Sequence, residues 1–110
     1  MRMPTHREID LRSLELHKCV AAKVRQNAAL LNTARTTLAR WHSIASPQTF
    51  VYLDAWQRLL DQDMESCLAA ATEPSEWGDA MRQASPLACL LTNAERFAFL
   101  KSWKQRHAPQ

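Results

Sequence analysis

The sequence predicts an all-α fold, a compact bundle of five to six helices in a single domain. The chain has one glycine, Gly78, although sheet-rich folds and phosphate-cradling loops need residues that accept a positive φ. Good helix formers such as alanine, leucine, arginine and glutamine are abundant instead. Apolar residues also recur at helical spacing, and the pattern restarts at serine–proline pairs. These observations favour helices joined by short turns.

The length fits one domain. A chain of 110 residues can bury one hydrophobic core, since a second domain would need roughly 50 residues more. Apolar residues make up 46% of the sequence and charged residues 23%, which is typical of a globular protein. We expect residues 1–8 to form a flexible leader and residues 9–107 to form the helical domain.

The first two helices are predicted from their caps and apolar faces. Asp10 is a suitable N-cap for a helix to about Gln26, and Asn27 for a second helix to about Ala45. With successive residues 100° apart, His17 lies on the apolar face of the first helix and Arg12 lies opposite. The second helix carries an apolar stripe that would seat it against another helix: Leu31, Ala34, Leu38, Trp41 and Ala45.

Start signals divide the rest of the chain. A serine N-cap followed by proline at the first helical position occurs at 46–47 and at 85–86. Asp63 is predicted to end the third helix and cap a fourth, and a short fifth segment opens at 72–75. A capping box of Thr92 and Glu95 begins the last helix, which runs to about residue 107 with Phe97, Leu100 and Trp103 on one face. We expect five side chains to be buried together: Leu38, Trp41, Leu53, Trp56 and Leu60.

The charges are distributed in three segments. Residues 1–45 hold eight Lys or Arg and three acids, residues 46–79 hold one and seven, and residues 80–110 hold five and one. The net charge of +3 is too small to require a nucleic-acid partner by itself. The basic, acidic and basic segments are predicted to attract one another within the fold.

The cysteines indicate neither a disulfide framework nor a zinc site, because Cys19, Cys67 and Cys89 are odd in number and far apart. No metal or other cofactor is expected. No apolar run approaches the ~18 residues of a membrane span, and the first residues lack the apolar stretch of a signal peptide. We therefore expect a cytoplasmic protein with no membrane partner.

Arg12-x4-His17 resembles the Arg-x4–6-His signature of HEPN ribonucleases. Histidine suits proton transfer near neutral pH, and arginine suits phosphate charge. Arg35 and His42 also fit, and the composition gives about one such match by chance. Because His17 lies on the apolar face, we favour a core or helix-edge histidine with a backbone partner. No catalytic residue is assigned.

The segment from Arg82 to Trp103 is the predicted contact surface for a partner. The serine–proline turn at 85–86 is rigid, and Arg82 and Arg96 flank it. Arginine and tryptophan are frequent interface anchors, and Trp77 and Trp103 are candidates for partial exposure. The predicted partner-binding residues are Arg82, Ser85, Pro86, Arg96 and Trp103.

Residues 12–17, 34–41, 82–87 and 94–96 together resemble short bacterial proteins associated with toxin–antitoxin-like gene pairs. The resemblance covers about residues 9–103. It implies an antitoxin or accessory subunit that neutralises a toxin-like protein by direct contact. The sequence thus predicts a non-enzymatic partner-binding protein, with two alternatives: nucleic-acid binding through the basic ends, or a HEPN-like ribonuclease that uses Arg12 and His17.

Overall fold

The computed structural model of the protein describes residues 5–107, which form six α-helices and two short 3₁₀ helices. The helices are α1 (His6–Gln26), α2 (Leu30–His42), α3 (Phe50–Gln62), α4 (Met64–Ala71), α5 (Glu76–Gln83) and α6 (Asn93–Arg106). A first 3₁₀ helix (Pro47–Thr49) precedes α3, and a second (Pro86–Leu90) precedes α6. No β-strand occurs within the described range. The predicted all-α bundle is confirmed.

Helix α1 begins earlier than predicted. Thr5 Oγ1 accepts a hydrogen bond from the Glu8 N–H (3.1 Å), and the Glu8 carboxylate accepts one from the Thr5 N–H (3.3 Å). This capping box satisfies two backbone donors, whereas Asp10 alone would satisfy one. Residues 5–8 therefore belong to the helical domain and not to a leader. Residues 1–4 of the predicted leader lie outside the described residues.

Helix α2 is shorter than predicted. Asn27 ends α1 instead of starting α2, and its N–H donates to the carbonyls of Lys23 and Val24. The helix ends at His42, so Trp41 lies in the last turn. There it is only partly buried and packs against the core from its edge, which corrects the prediction of a fully buried ring.

Two predicted boundaries are confirmed in α4 and α6. Asp63 ends α3 and caps α4, with its carboxylate accepting from the Ser66 N–H at 2.7 Å. Thr92 and Glu95 form the predicted capping box of α6, with bonds of 3.1 and 2.8 Å. Each signal lies within three residues of its partner, which is why the sequence pattern is sufficient to find it.

The core surrounds Trp56, which is fully buried in α3. Its indole Nε1 donates to the carbonyl oxygen of Met81 in α5 at 2.9 Å. Each of the other main elements packs buried residues against this cluster, for example Val20, Leu38, Leu53, Leu60, Leu68 and Leu87. Helix α6 is the exception: its one buried residue among those described, Phe99, lies outside the cluster.

The acidic middle of the chain contacts the basic first segment as predicted. Arg25 of α1 pairs with Glu65 at 3.2 Å, and Arg35 of α2 pairs with Asp61 at 3.1 Å. All four side chains are substantially exposed. Such pairs contribute about 0–1 kcal/mol each, so they orient the helices more than they stabilise the fold.

Gly78 is required by a close approach of α5 to the turn that precedes it. Its φ is not positive, but a Cβ at this position would lie 2.1 Å from the carbonyl oxygen of Glu73. We expect Gly78→Ala to lower the free energy of unfolding by about 1–3 kcal/mol, although alanine is the better helix former. Urea denaturation measures this. Gln83→Ala, an exposed change in the same helix, is the control, and a Gly78→Ala protein as stable as the wild type would disprove the close approach.

Candidate functional site

The second 3₁₀ helix is joined to α1 by a buried histidine. His17 Nδ1 lies 2.7 Å from the Ser13 carbonyl oxygen, and Nε2 lies 2.9 Å from Ser85 Oγ. A carbonyl oxygen can only accept, so Nδ1 carries the proton. Nε2 is then the acceptor, and the Ser85 hydroxyl donates to it. The predicted core histidine with a backbone partner is confirmed.

The surroundings keep His17 neutral. Burial is the main cause that lowers its pKa to about 4. The hydrogen bond to Ser13 raises the pKa, whereas the positive charges of Arg82 and Arg96 lower it further. At neutral pH both ring nitrogens are occupied by the bonds described above. The imidazole thereby ties together two segments that lie 68 residues apart in the sequence.

The serine–proline turn belongs to the interior. Ser85 and Pro86 are buried, and Ser85 Oγ also accepts from the Leu87 N–H at 3.1 Å. The hydroxyl thus caps the 3₁₀ helix and holds His17 at the same time. The prediction that these two residues present a contact surface is wrong for this reason.

Arg82 is also an interior residue, with a side chain 1% exposed. Its Nη1 donates to the carbonyl oxygens of Ala71 (3.2 Å) and Glu73 (2.8 Å), and its Nη2 donates to the Asp79 carboxylate at 2.5 Å. The C-terminal carbonyls of a helix need outside donors, and the guanidinium supplies them where α4 ends. The prediction of Arg82 as a contact residue is therefore corrected.

Arg96 and Trp103 remain near the surface. Arg96 is exposed and its Nη1 lies 3.4 Å from the Ala88 carbonyl oxygen. The partly buried ring of Trp103 stacks on His107 with centroids 3.6 Å apart, and the Arg106 guanidinium lies 5.9 Å from its centroid. The other candidate tryptophan, Trp77, is 50% exposed.

A cavity of about 320 Å³ opens between α1, the second 3₁₀ helix and α6. Arg12, Arg82, Arg96 and His17 line its polar side, and Ile9, Phe99 and Leu100 line its apolar side. The helical projection places Arg12 away from His17, yet both reach this cavity. A long side chain bridges the angle of about 140° between the two positions.

Helix α6 turns an unexpected face outward. Phe97 is 71% exposed and Leu100 39%, whereas Phe99 faces the bundle. Of the predicted common face of Phe97, Leu100 and Trp103, Phe97 is therefore turned outward, whereas Leu100 lines the cavity and Trp103 is partly buried. Sequence reasoning missed Phe97 as a surface residue because both faces of α6 carry aromatic side chains.

Comparison with protein-family profiles, curated proteins and solved structures gives no match. In residues 5–107, no group of His, Cys, Asp and Glu side chains is arranged to hold a metal ion. None of the helices in the same range has the length and apolar character needed to cross a membrane. The site is therefore interpreted from its own geometry.

Proposed function

We propose that this chain is a non-enzymatic, antitoxin-like protein that binds and neutralises a protein partner through α6. One observation carries the proposal. Helix α6 is fully formed and capped, but it buries only Phe99 among the described residues and leaves Phe97 71% exposed. Helices in proteins owe most of their stability to packing of an apolar face. Aromatic side chains, phenylalanine included, are enriched in protein–protein interfaces relative to the rest of the surface.

The charges of α6 favour a partner segment with acidic residues. Arg96, Lys101, Lys104 and Arg106 are exposed. The single acid of the helix, Glu95, is engaged by Lys23, and this hydrogen bond together with the Thr92 cap lowers its pKa to about 2. The surface is therefore cationic around an apolar centre. We infer an occupant with an apolar side chain flanked by carboxylates, since complementary charge steers and orients association.

The nucleic-acid alternative has weaker support. The tryptophan of the basic last helix, Trp103, is already stacked on His107, which leaves Phe97 as the exposed ring of this helix for stacking on a base. The ribonuclease alternative requires His17 to exchange a proton, but burial lowers its pKa to about 4 and both its nitrogens are hydrogen-bonded. These contacts support a structural role for His17 and leave α6 as the favoured contact element.

Phe97→Glu tests the proposal. We expect it to weaken capture of the native partner more than tenfold, because it removes the apolar anchor and adds a charge that repels carboxylates. The melting temperature should stay near the wild-type value, since Phe97 is mostly exposed. Val51→Glu, at another exposed apolar position on α3, is the matched control. The captured protein is then identified and purified. Its affinity for the wild type, for Phe97→Glu and for Val51→Glu is measured by titration.

Two further measurements decide between the candidate functions. If the partner is toxin-like, its inhibition of cell growth is relieved by the wild type and by Val51→Glu but not by Phe97→Glu. Binding that disappears on nuclease treatment would favour the nucleic-acid alternative. A Phe97→Glu protein that binds the purified partner as tightly as the wild type would refute the assignment to α6.

A further inference from the structure

The cavity between α1 and α6 is lined by more arginines than there are carboxylates paired with them. Arg12, Arg82 and Arg96 all line it. Arg82 is paired with Asp79, but within residues 5–107 neither Arg12 nor Arg96 has a carboxylate within ion-pair distance. Like charges held close together in a partly buried space repel one another. An anion in the cavity would remove this repulsion.

Arg82 supplies a second and independent observation. Its side chain is 1% exposed, and its Nε is the single buried side-chain nitrogen or oxygen among the described residues without a hydrogen-bond partner. The other two nitrogens of the same guanidinium make three bonds within the fold. Buried donors are almost always satisfied in native proteins. The contacts of Nη1 and Nη2 hold the Arg82 charge in a fixed position at the cavity wall, and the Asp79 carboxylate is its one ion-pair partner among the described residues.

We propose that this cavity binds a small phosphate monoester that carries an apolar group. The phosphate would take hydrogen bonds from Arg12 and Arg96, and the fixed charge of Arg82 would attract it further, because guanidinium groups match phosphate oxygens in charge and geometry. The apolar group would pack on Ile9, Phe99 and Leu100. A volume of about 320 Å³ is larger than inorganic phosphate needs and lies in the range of small-molecule sites. This site goes beyond the proposed protein contact and does not depend on it.

His17 offers a reporter inside the cavity. Arg82 and Arg96 help to lower its pKa, so a bound phosphate monoester, which still carries one negative charge near pH 4, should raise it. A partner carboxylate on the outer side of α6 would offset only Arg96 and not the buried Arg82, so it would raise the His17 pKa less. The titration below contains no protein partner, so a raised pKa there reports an anion at the arginines.

The test is a titration of the full chain with phenyl phosphate. Calorimetry measures the affinity, and the ring signals of His17 in NMR spectra measure its pKa. We expect binding at least tenfold tighter than that of inorganic phosphate or benzoate, and a raised His17 pKa at saturation. Arg12→Gln should weaken binding at least tenfold without changing the melting temperature, because Arg12 makes no hydrogen bond or ion pair within residues 5–107. Arg40→Gln, an exposed arginine of α2, is the control.

The proposed site would be overturned if Arg12→Gln bound phenyl phosphate as tightly as the wild type does. It would also be overturned if benzoate bound as tightly as phenyl phosphate. Tighter binding of a phosphotyrosine peptide than of phenyl phosphate would overturn the assignment to a free small molecule. Phe97 does not line the cavity, so Phe97→Glu should bind phenyl phosphate normally. Failure of this site and failure of the α6 contact are thus separable.

Discussion

Trp56→Ala should lower the free energy of unfolding by about 3–5 kcal/mol. The ring is fully buried at the centre of the core, so its removal leaves a cavity that the surrounding helices fill only in part. It also leaves the Met81 carbonyl oxygen without the indole donor at 2.9 Å. Because domains of this size are stable by only about 5–15 kcal/mol, the variant is expected to be partly unfolded in mild urea.

Urea denaturation followed by far-ultraviolet circular dichroism measures this effect. Trp56→Phe keeps most of the ring volume and loses the hydrogen bond, so its stability should lie between those of the alanine variant and the wild type. Trp77→Ala, at a position 50% exposed, is the matched control and should cost much less. If Trp56→Ala unfolds at the wild-type midpoint, the ring is not the centre of the core.

Arg82→Met should lower the free energy of unfolding by about 3 kcal/mol, the lower end of the range for breaking a buried charge pair. The change leaves the Asp79 carboxylate without its cation and two backbone carbonyl oxygens, of Ala71 and Glu73, without a donor. We choose the lower end because Asp79 is 34% exposed and keeps part of its hydration. Thermal unfolding gives the difference.

Arg58→Met, an exposed change on α3, is the control for loss of charge. Arg82→Lys keeps the charge but not the planar fork that reaches three acceptors, so it should recover only part of the lost stability. The contrary result would be an Arg82→Met protein that melts like the wild type and fails to bind its partner. Arg82 would then be a contact residue, as the sequence pattern first indicated.

Local signals account for the part of the fold that the sequence predicts. The capping box at Thr92 and Glu95 and the cap at Asp63 each connect residues three positions apart, so a short window contains the whole interaction. The box at Thr5 and Glu8 is equally local. Asn27 ends α1 although the pattern predicts that it begins α2, because a polar residue between two helices can end one or begin the other.

The candidate site was not predictable in the same way. The orientation of Arg82 depends on the carbonyls of α4, and the burial of Ser85 depends on His17, which lies 68 residues earlier. Helical periodicity indicates that a face is apolar but not which neighbour covers it. In α6 either Phe97 or Phe99 can face inward on periodicity alone. The tertiary structure decides between them, with Phe99 buried and Phe97 exposed.

The light attachment of α6 has a thermodynamic consequence. Among the described contacts, α6 is held by the buried side chain of Phe99, by the Lys23–Glu95 ion pair and by the hydrogen bond from Arg96 to the Ala88 carbonyl oxygen. Detaching the helix therefore exposes little apolar surface. Opening of this helix therefore requires far less free energy than global unfolding. Both proposed ligands engage the closed helix, one beneath it and one upon it. Each ligand is therefore expected to lower the frequency with which α6 opens.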